Sequence, residues 1–448
     1  MSMRALFRVV PVLLCLMAVP LTAIHAQHFS TAAVEMFRDL RQQPNDLARY
    51  VYLVNVVQDL SASERPLALQ MFAANENELG LYNEALRDFP LKVHQSADDS
   101  LPTPADFKSA DAVDEITKLT ASRQLVLINE AHHDAHTREL TLELLPKLRA
   151  QGFNYFAAEA LIDKDSALAK RGYPLKSSGT EYLHEPTYGE IVRTALRLGF
   201  KVVSYDVDER QQADREAGQA ENLYKKVFAH DPNARLFVHA GYAHIDKAKG
   251  RLNNILPMAA HLKRLTGIEP FSIDQSQLRE QVPRGDDAYD RLILEFKPSE
   301  PIVLVNRNNG IVWSQHPTWY DVNVLLPPSA QGSVESGYVQ PSTIVHNSVD
   351  AGKMFHTIVN TRRPDWLSLQ GQRFPVPINT NMCKVTIPCV VDAHYADETN
   401  DAVAADRYAF LHASAGTNLY LRPGKYRLRA WDIHDRTLAE QDITVKPR

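Results

Sequence analysis

Three short segments of this chain run apolar and then end in side chains that can move a proton. Residues 125–136 read Leu-Val-Leu-Ile-Asn-Glu-Ala-His-His-Asp-Ala-His, which groups Glu130, His132, His133 and His136. Residues 156–160 carry Glu159, and residues 236–244 end on His244. An imidazole titrates near neutral pH and can take a proton from water, while a nearby carboxylate decides which ring nitrogen holds the hydrogen. Such a set suits hydrolysis by an activated water. His133 is the expected general base, with Glu130 and Glu159 fixing its tautomer or sharing the proton. His132, adjacent to it, is expected to point elsewhere. His136 either joins the site or caps the helix that follows.

These groups meet only if the segments carrying them are neighbouring strands. An apolar, β-branched run that finishes in a polar group is how a buried parallel strand delivers function at its carboxyl end. Residues 137–149 have helical character, and Gly152 turns the chain into the second strand, so the pattern is βαβ. Residues 191–198 read as a helix closed by Gly199. Residues 201–206 read as a further strand, ending in Tyr205 and Asp206, which are placed behind the site. A helix over 214–228 carries Arg215, Glu216 and Asn222. Arg215 either clamps a substrate anion or pairs with Glu130 or Glu159; Asn222 either orients a carbonyl or ties the helix to a loop. Residues 253–265 read as a helix closed by Gly267, and 292–296, 302–305 and 311–313 as short strands.

The expected class is α/β, a mostly parallel sheet with flanking helices over residues 105–328. Residues 27–104 form a helical region before it, capping the part that follows, with a linker at 95–103. The pattern Gly80-x-Tyr82-x-x-Ala85-x-x-x-Phe89 resembles half a tetratricopeptide repeat, without the further copies an array needs. Residues 329–448 alternate as short strands about turns such as Pro423-Gly424, the texture of a small β-sandwich. Arg4 and Arg8 precede an apolar stretch at 9–22, so residues 1–26 read as a signal peptide cleaved after Ala26, or else as a retained anchor. Cys15 falls inside that stretch. The two remaining cysteines, Cys383 and Cys389, are expected to form a disulfide in an exported protein, periplasmic or secreted.

At 448 residues, 44% hydrophobic and 23% charged with a formal net charge of −5, the composition is that of a globular protein of several domains. No basic run suggests a nucleic-acid partner, and no later segment is long enough to span a membrane. No Gly-x-Ser-x-Gly elbow or nucleotide-binding loop is present. A small-molecule substrate is expected; the oligomeric state is not legible.

The segment Asn129-Glu130-Ala131-His132-His133-Asp134 resembles the Gly-Glu-Ala-x-His-Gly signature of the erythromycin-esterase-like superfamily. Glu159 after its strand, Arg215-Glu216-x-x-x-Ala220-x-Asn222 and His244 resemble later blocks of the same family in the same order, so the likeness runs over residues 125–266. It implies an esterase-like hydrolase in which activated water attacks an ester, lactone or amide carbonyl, with His244 or Arg215 meeting the oxyanion. Two related plans share the first motif. The ChaN-like family implies haem or iron bound by His132 or Tyr205. The TIKI/TraB type implies a metal-dependent hydrolase, with Glu130, His132, His133, Glu159 and His244 as candidate ligands; Gly241-x-x-His244 fits its pattern.

Overall fold

The computed structural model describes residues 30–91, 101–207, 211–282, 285–329, 363–413 and 416–447. The expected signal segment, Cys15 within it, and much of the 95–103 linker lie outside the described residues. Four α-helices open the described residues: α1 Thr31–Leu40, α2 Asp46–Val56, α3 Arg65–Glu78 and α4 Tyr82–Asp88. The side chains of Ser30 and Asn45 cap the first two by accepting from the N–H of Ala33 and Ala48. Gly80, at φ +76°, turns α3 into α4 where a Cβ would strike the Arg407 carbonyl.

Strands and helices then alternate. In chain order they are β1 Phe107–Asp111, α5 Ala112–Thr120, β2 Leu125–Glu130, α6 Glu139–Ala150, β3 Tyr155–Ala158, α7 Leu168–Arg171, α8 Pro186–Arg197 and β4 Lys201–Ser204. There follow α9 Gln212–Leu223, β5 Leu236–Gly241, α10 Met258–Thr266, β6 Phe271–Asp274, α11 Ala288–Phe296, β7 Ile302–Asn306 and β8 Val322–Asn323. Six strands make one parallel sheet in the order β4-β3-β5-β2-β6-β8, and β1 pairs antiparallel with β7. The central strands β2, β3 and β5 are buried along their whole length, as parallel strands covered on both faces must be. On one face Val126, Ile128 and Phe156 pack with Leu140, Leu144 and Ile191 of α6 and α8. On the other, Leu127, Ala157 and Val238 pack with Ala220 and Met258 of α9 and α10.

Three elements depart from the sequence reading. Residues 292–296 are not a strand but the end of α11. Asp287 caps that helix by accepting from Asp290 N at 2.9 Å, and Tyr289, Leu292 and Ile293 bury one helical face. Residues 311–313 contribute one bridge, Val305 to Val312, in place of a strand. Helix α10 begins only at Met258, because Asn253 sits at φ +57° and breaks any earlier helical run.

The C-terminal part contains β9 Phe374–Asn379, β10 Cys389–Tyr395, β11 Asp406–Phe410, β12 Gly416–Leu421, β13 Gly424–Trp431 and β14 Thr437–Val445. Its antiparallel strands form one sheet ordered β11-β10-β13-β14 and a separate β12-β9 pair, so the Pro423-Gly424 corner passes the chain from one sheet to the other. Cys383 and Cys389 are disulfide-bonded with Cα atoms 5.9 Å apart. Among the described residues no helix is long and apolar enough to cross a membrane.

The helical region does not bury its main apolar face on the α/β part that follows it. Met36, Tyr50, Leu53 and Leu67 instead share one core with Val391, Phe410 and Trp431 of the C-terminal sheet. A fully buried arginine crosses this junction. Arg407 donates from Nη1 to Asp46 at 2.8 Å and from Nε to Asp392 at 2.9 Å. Removing one partner of a buried ion pair leaves the others uncompensated, which costs about 3–5 kcal/mol. Arg407→Ala is therefore expected to lose stability of that order in urea denaturation; a loss under about 1 kcal/mol would mean that the apolar contacts alone hold the junction.

Candidate functional site

The strand order β3-β5-β2 brings three carboxyl ends together. Glu130 is in register with Gly241, and Ala158 with His239, so Glu159 leaves β3 beside the end of β5. Beyond Glu130 the chain leaves the strand in a tight turn, Asp134 N–H donating to the Ala131 carbonyl at 2.8 Å with His132 and His133 at its corners. From the first corner His132 Nδ1 reaches back and donates to Glu130 Oε1 at 2.9 Å. The His132 ring is stacked on Tyr182, with centroids 4.1 Å apart and planes within 9°, and its edge is closed by Tyr242. Its Nε2 has no protein partner among the described residues and faces Gly241 and Glu159. A Cβ on Gly241 would lie 2.6 Å from that nitrogen and 3.2 Å from Glu159 Oε2.

Glu130 is buried and ionised. Burial opposes the charge, but Arg138, which donates from Nε to Oε2, together with His132 and His239, holds the carboxyl well below its ordinary range. Arg138 also donates to Glu185 at 2.9 Å and lies over the Tyr188 ring. Glu185 in turn caps α8, accepting from the N–H of Thr187 and Tyr188, and accepts from the Tyr82 hydroxyl at 2.8 Å. The strand-interior His239 stands 3.4 Å from Glu130 through Nε2 and 2.9 Å from Thr141 through Nδ1.

Glu159 belongs to a second network. It accepts from the Gly241 N–H and, at 2.6 Å, from Arg215 Nη2. Arg215 also grips Asp206 with Nε and Nη2, at 3.0 and 2.9 Å, and its Nη1 lies 2.9 Å from His244 Nε2. His244 Nδ1 meets Glu216 at 2.7 Å, and its Nε2 is 3.3 Å from Glu159. Burial disfavours the imidazolium, and so does Arg215, yet Glu216 and Glu159 outweigh both and push the His244 pKa up to about 10. Glu159 is held well below the carboxylate range, against burial, by His244 and Arg215.

Glu130, Glu159, Arg215 and His244 therefore meet at one edge, as the strand-end argument expects, but the neighbouring histidine faces them. His133 is turned away: its ring stacks on Phe89 at 3.4 Å, and Nδ1 meets the Tyr242 hydroxyl at 3.2 Å. The expected pairing of His133 with Glu130 and Glu159 is corrected to His132, because the two histidines stand at successive corners of the turn from Ala131 to Asp134 and only the first reaches back to Glu130. His136 also leaves the site, pairing with Glu139 at 3.1 Å and stacking on Trp366. Of the supporting residues, Asp206 and Glu216 anchor Arg215 and His244. Asn222 closes a helix-to-loop bond by donating to the Tyr205 carbonyl at 3.0 Å. Tyr205 is fully buried and donates to the His239 carbonyl at 3.1 Å, which does not suit an iron ligand.

Sequence reasoning missed Arg138, His239, Glu185 and Asn77. A histidine inside an otherwise apolar strand was a usable signal for His239; the long-range partners had none. Asn77 grips the site loop from α3, donating to the His132 carbonyl and accepting from the Ala135 N–H, both at 3.1 Å. The donor set does not fit a divalent cation. Each oxygen of Glu130 and Glu159 already faces an N–H donor, and an ion near Glu159 would stand against Arg215 and the His244 cation. Among the described residues no group of three or more His, Cys, Asp or Glu side chains is arranged to hold a metal.

No protein-family model matches the chain, and no curated protein matches it. Solved structures do. The type III effector HopBA1 is 15% identical, with a TM-score of 0.28, over 43% of this chain and 94% of its own. A structure described as bacterial protein toxins is 18% identical, with a TM-score of 0.28, over 40% of this chain and 39% of its own. RRSP, a MARTX toxin effector domain from Vibrio vulnificus, is 15% identical, with a TM-score of 0.26, over 57% of this chain and 46% of its own. The chain thus spans less than half the length of the last two.

The raised pKa of His244 has a measurable consequence. A group whose pKa is higher folded than unfolded contributes its full stabilisation below the unfolded value, here the ordinary 6.5, and loses it as pH rises through about 10. Glu130 and Glu159, held low, act in the opposite sense and lose their contribution as pH falls below their ordinary 4.5. Urea denaturation across pH is expected to show stability falling from about pH 6.5 towards pH 10, with His244→Gln flattening that alkaline limb. An unchanged limb in the variant would place the titration elsewhere.

Proposed function

We propose that this protein is an exported hydrolase of the erythromycin-esterase-like type in which His132, rather than His133, activates the attacking water. The observation that carries the reading is the setting of His132: Nδ1–H held by an ionised Glu130 at 2.9 Å, the ring clamped on Tyr182, and Nε2 turned to Glu159 without a protein partner among the described residues. A fixed Nδ1–H tautomer leaves Nε2 as the basic lone pair. A water between Nε2 and Glu159 gives its proton to Nε2 as its oxygen attacks an ester, lactone or amide carbonyl. Glu130 neutralises the imidazolium so formed, and Arg138 keeps Glu130 charged to do so. The imidazolium then returns the proton to the leaving oxygen or nitrogen. Arg215 and His244 act through Glu159, which they hold ionised and immobile, and not as free oxyanion donors. The disulfide supports the exported setting.

The test is a comparison of neighbours on a panel of chromogenic esters, lactones and anilides. His132→Ala is expected to lower turnover at least about a hundredfold, and His133→Ala only a few-fold. Gly241→Ala is expected to behave like His132→Ala although its backbone, at φ −78°, accepts alanine, because the added methyl would sit 2.5 Å from His132 Cε1. Melting curves check that each variant folds. Full activity in folded His132→Ala would remove the imidazole from the mechanism.

A further inference from the structure

A second charged site lies away from the strand ends, where the β9–β12 pair meets α8. The ladder ends at the pair Phe374 and Leu421, and the residues just beyond it, Arg373 and Arg422, lie near enough for each charge to act on the other. Like charges placed so destabilise one another. Arg373 is only 3% exposed, and no hydrogen bond or ion pair reaches its guanidinium among the described residues. Arg422 donates Nη1 to Gln372 at 2.7 Å, but its Nε is buried without a partner. Burial and the charges of Arg373 and Arg197 push the Arg422 guanidinium below its usual range.

The carboxylates nearby do not resolve this. Glu190 is already engaged by Arg193 at 3.3 Å and by the Tyr395 hydroxyl at 3.1 Å. Glu143 is pushed up to about 8, by burial and then by Glu139, Asp111 and Glu300, so near neutral pH it carries little of the charge that Arg422 lacks. The backbone delivering Arg373 is unusual too: Leu369, Gln370 and Gly371 sit at φ +45°, +52° and +82° in succession. With so little exposed surface and no carboxylate on Arg373, positive charge stands uncompensated at this end of the ladder.

We propose that Arg373 and Arg422 form a binding site for a phosphate-type oxyanion, either the free ion or the phosphate of a small monoester. Two guanidinium forks present enough N–H donors to engage a tetrahedral group on several oxygens, and two positive charges match its dianion. The site is separate from the His132 centre and independent of the reaction proposed there.

Thermal melting of the full chain in phosphate, glycerol phosphate, acetate and chloride at equal ionic strength tests this. Phosphate or its monoester is expected to raise the melting temperature saturably, while chloride does not; the lower half-saturation identifies the free ion or the ester. Arg373→Met is expected to abolish that response and to melt no lower than the wild type without phosphate, since a buried unpaired charge is gone. Arg422→Gln is expected to weaken half-saturation by at least about tenfold, and decides the matter if Arg373→Met fails to fold. Equal responses to phosphate and chloride, saturation by acetate at matching concentrations, or an undiminished phosphate response in either variant would overturn the site.

Discussion

An ionised carboxylate at the end of a fully buried strand is stable only beside a cation that cannot leave, and Arg138 is that cation for Glu130. Neither side chain has appreciable access to water. Their attraction is therefore weakly screened, and so is the penalty for losing either partner. Much else is arranged around the pair. Glu130 sets the orientation of His132, and Arg138 is tied through Glu185 to the start of α8 and, by the Tyr82 hydroxyl, to the N-terminal helices. The negative end of the chain of contacts sits at the helix N-terminus, where the backbone N–H groups stabilise it.

The second network has a different logic. Glu159, Asp206 and Glu216 surround Arg215 and His244, so three acids meet two bases within one water-poor space. Because the charges interlock, no single side chain can turn without leaving a neighbour unpaired, which fixes Glu159 against His132 more firmly than packing would. The positive φ of Tyr242, +43°, falls directly after this strand end. A residue in that region costs energy unless its surroundings demand it, and here it carries the hydroxyl that meets His133 and the ring that edges His132.

Much of this was legible in the sequence. The three apolar runs marked parallel strands, and the ionisable groups at their ends marked the edge where they meet. The choice between His132 and His133 was not legible, because both stand at the corners of a turn whose geometry decides which ring reaches back to Glu130. Short apolar runs such as residues 292–296 carry no period of their own, and only the Asp287 cap distinguishes helix from strand there. The partners of Arg138 and the grip of Asn77 on the site loop depend on contacts between distant segments, which leave no local trace. The shared core of the helical region and the C-terminal sheet was hidden for the same reason: each half looks like an amphipathic element awaiting a partner.

That shared core also constrains how the molecule is made. Asp46 and Arg407 stand 361 positions apart, yet each satisfies the other's charge. Chains emerge from the ribosome N-terminus first, at a pace of about 5–20 residues per second. The first helices therefore exist for about 20–70 seconds before the strands that cover them have been synthesised. Throughout that interval their apolar stripe is open to solvent and to other chains. Closing so large a loop is entropically slow, so these later strands act as the latch of the fold. The Asn77 grip on the site loop, carried by those same early helices, gains its support only when the latch engages, which delays assembly of the site until the strands around Arg407 have been made.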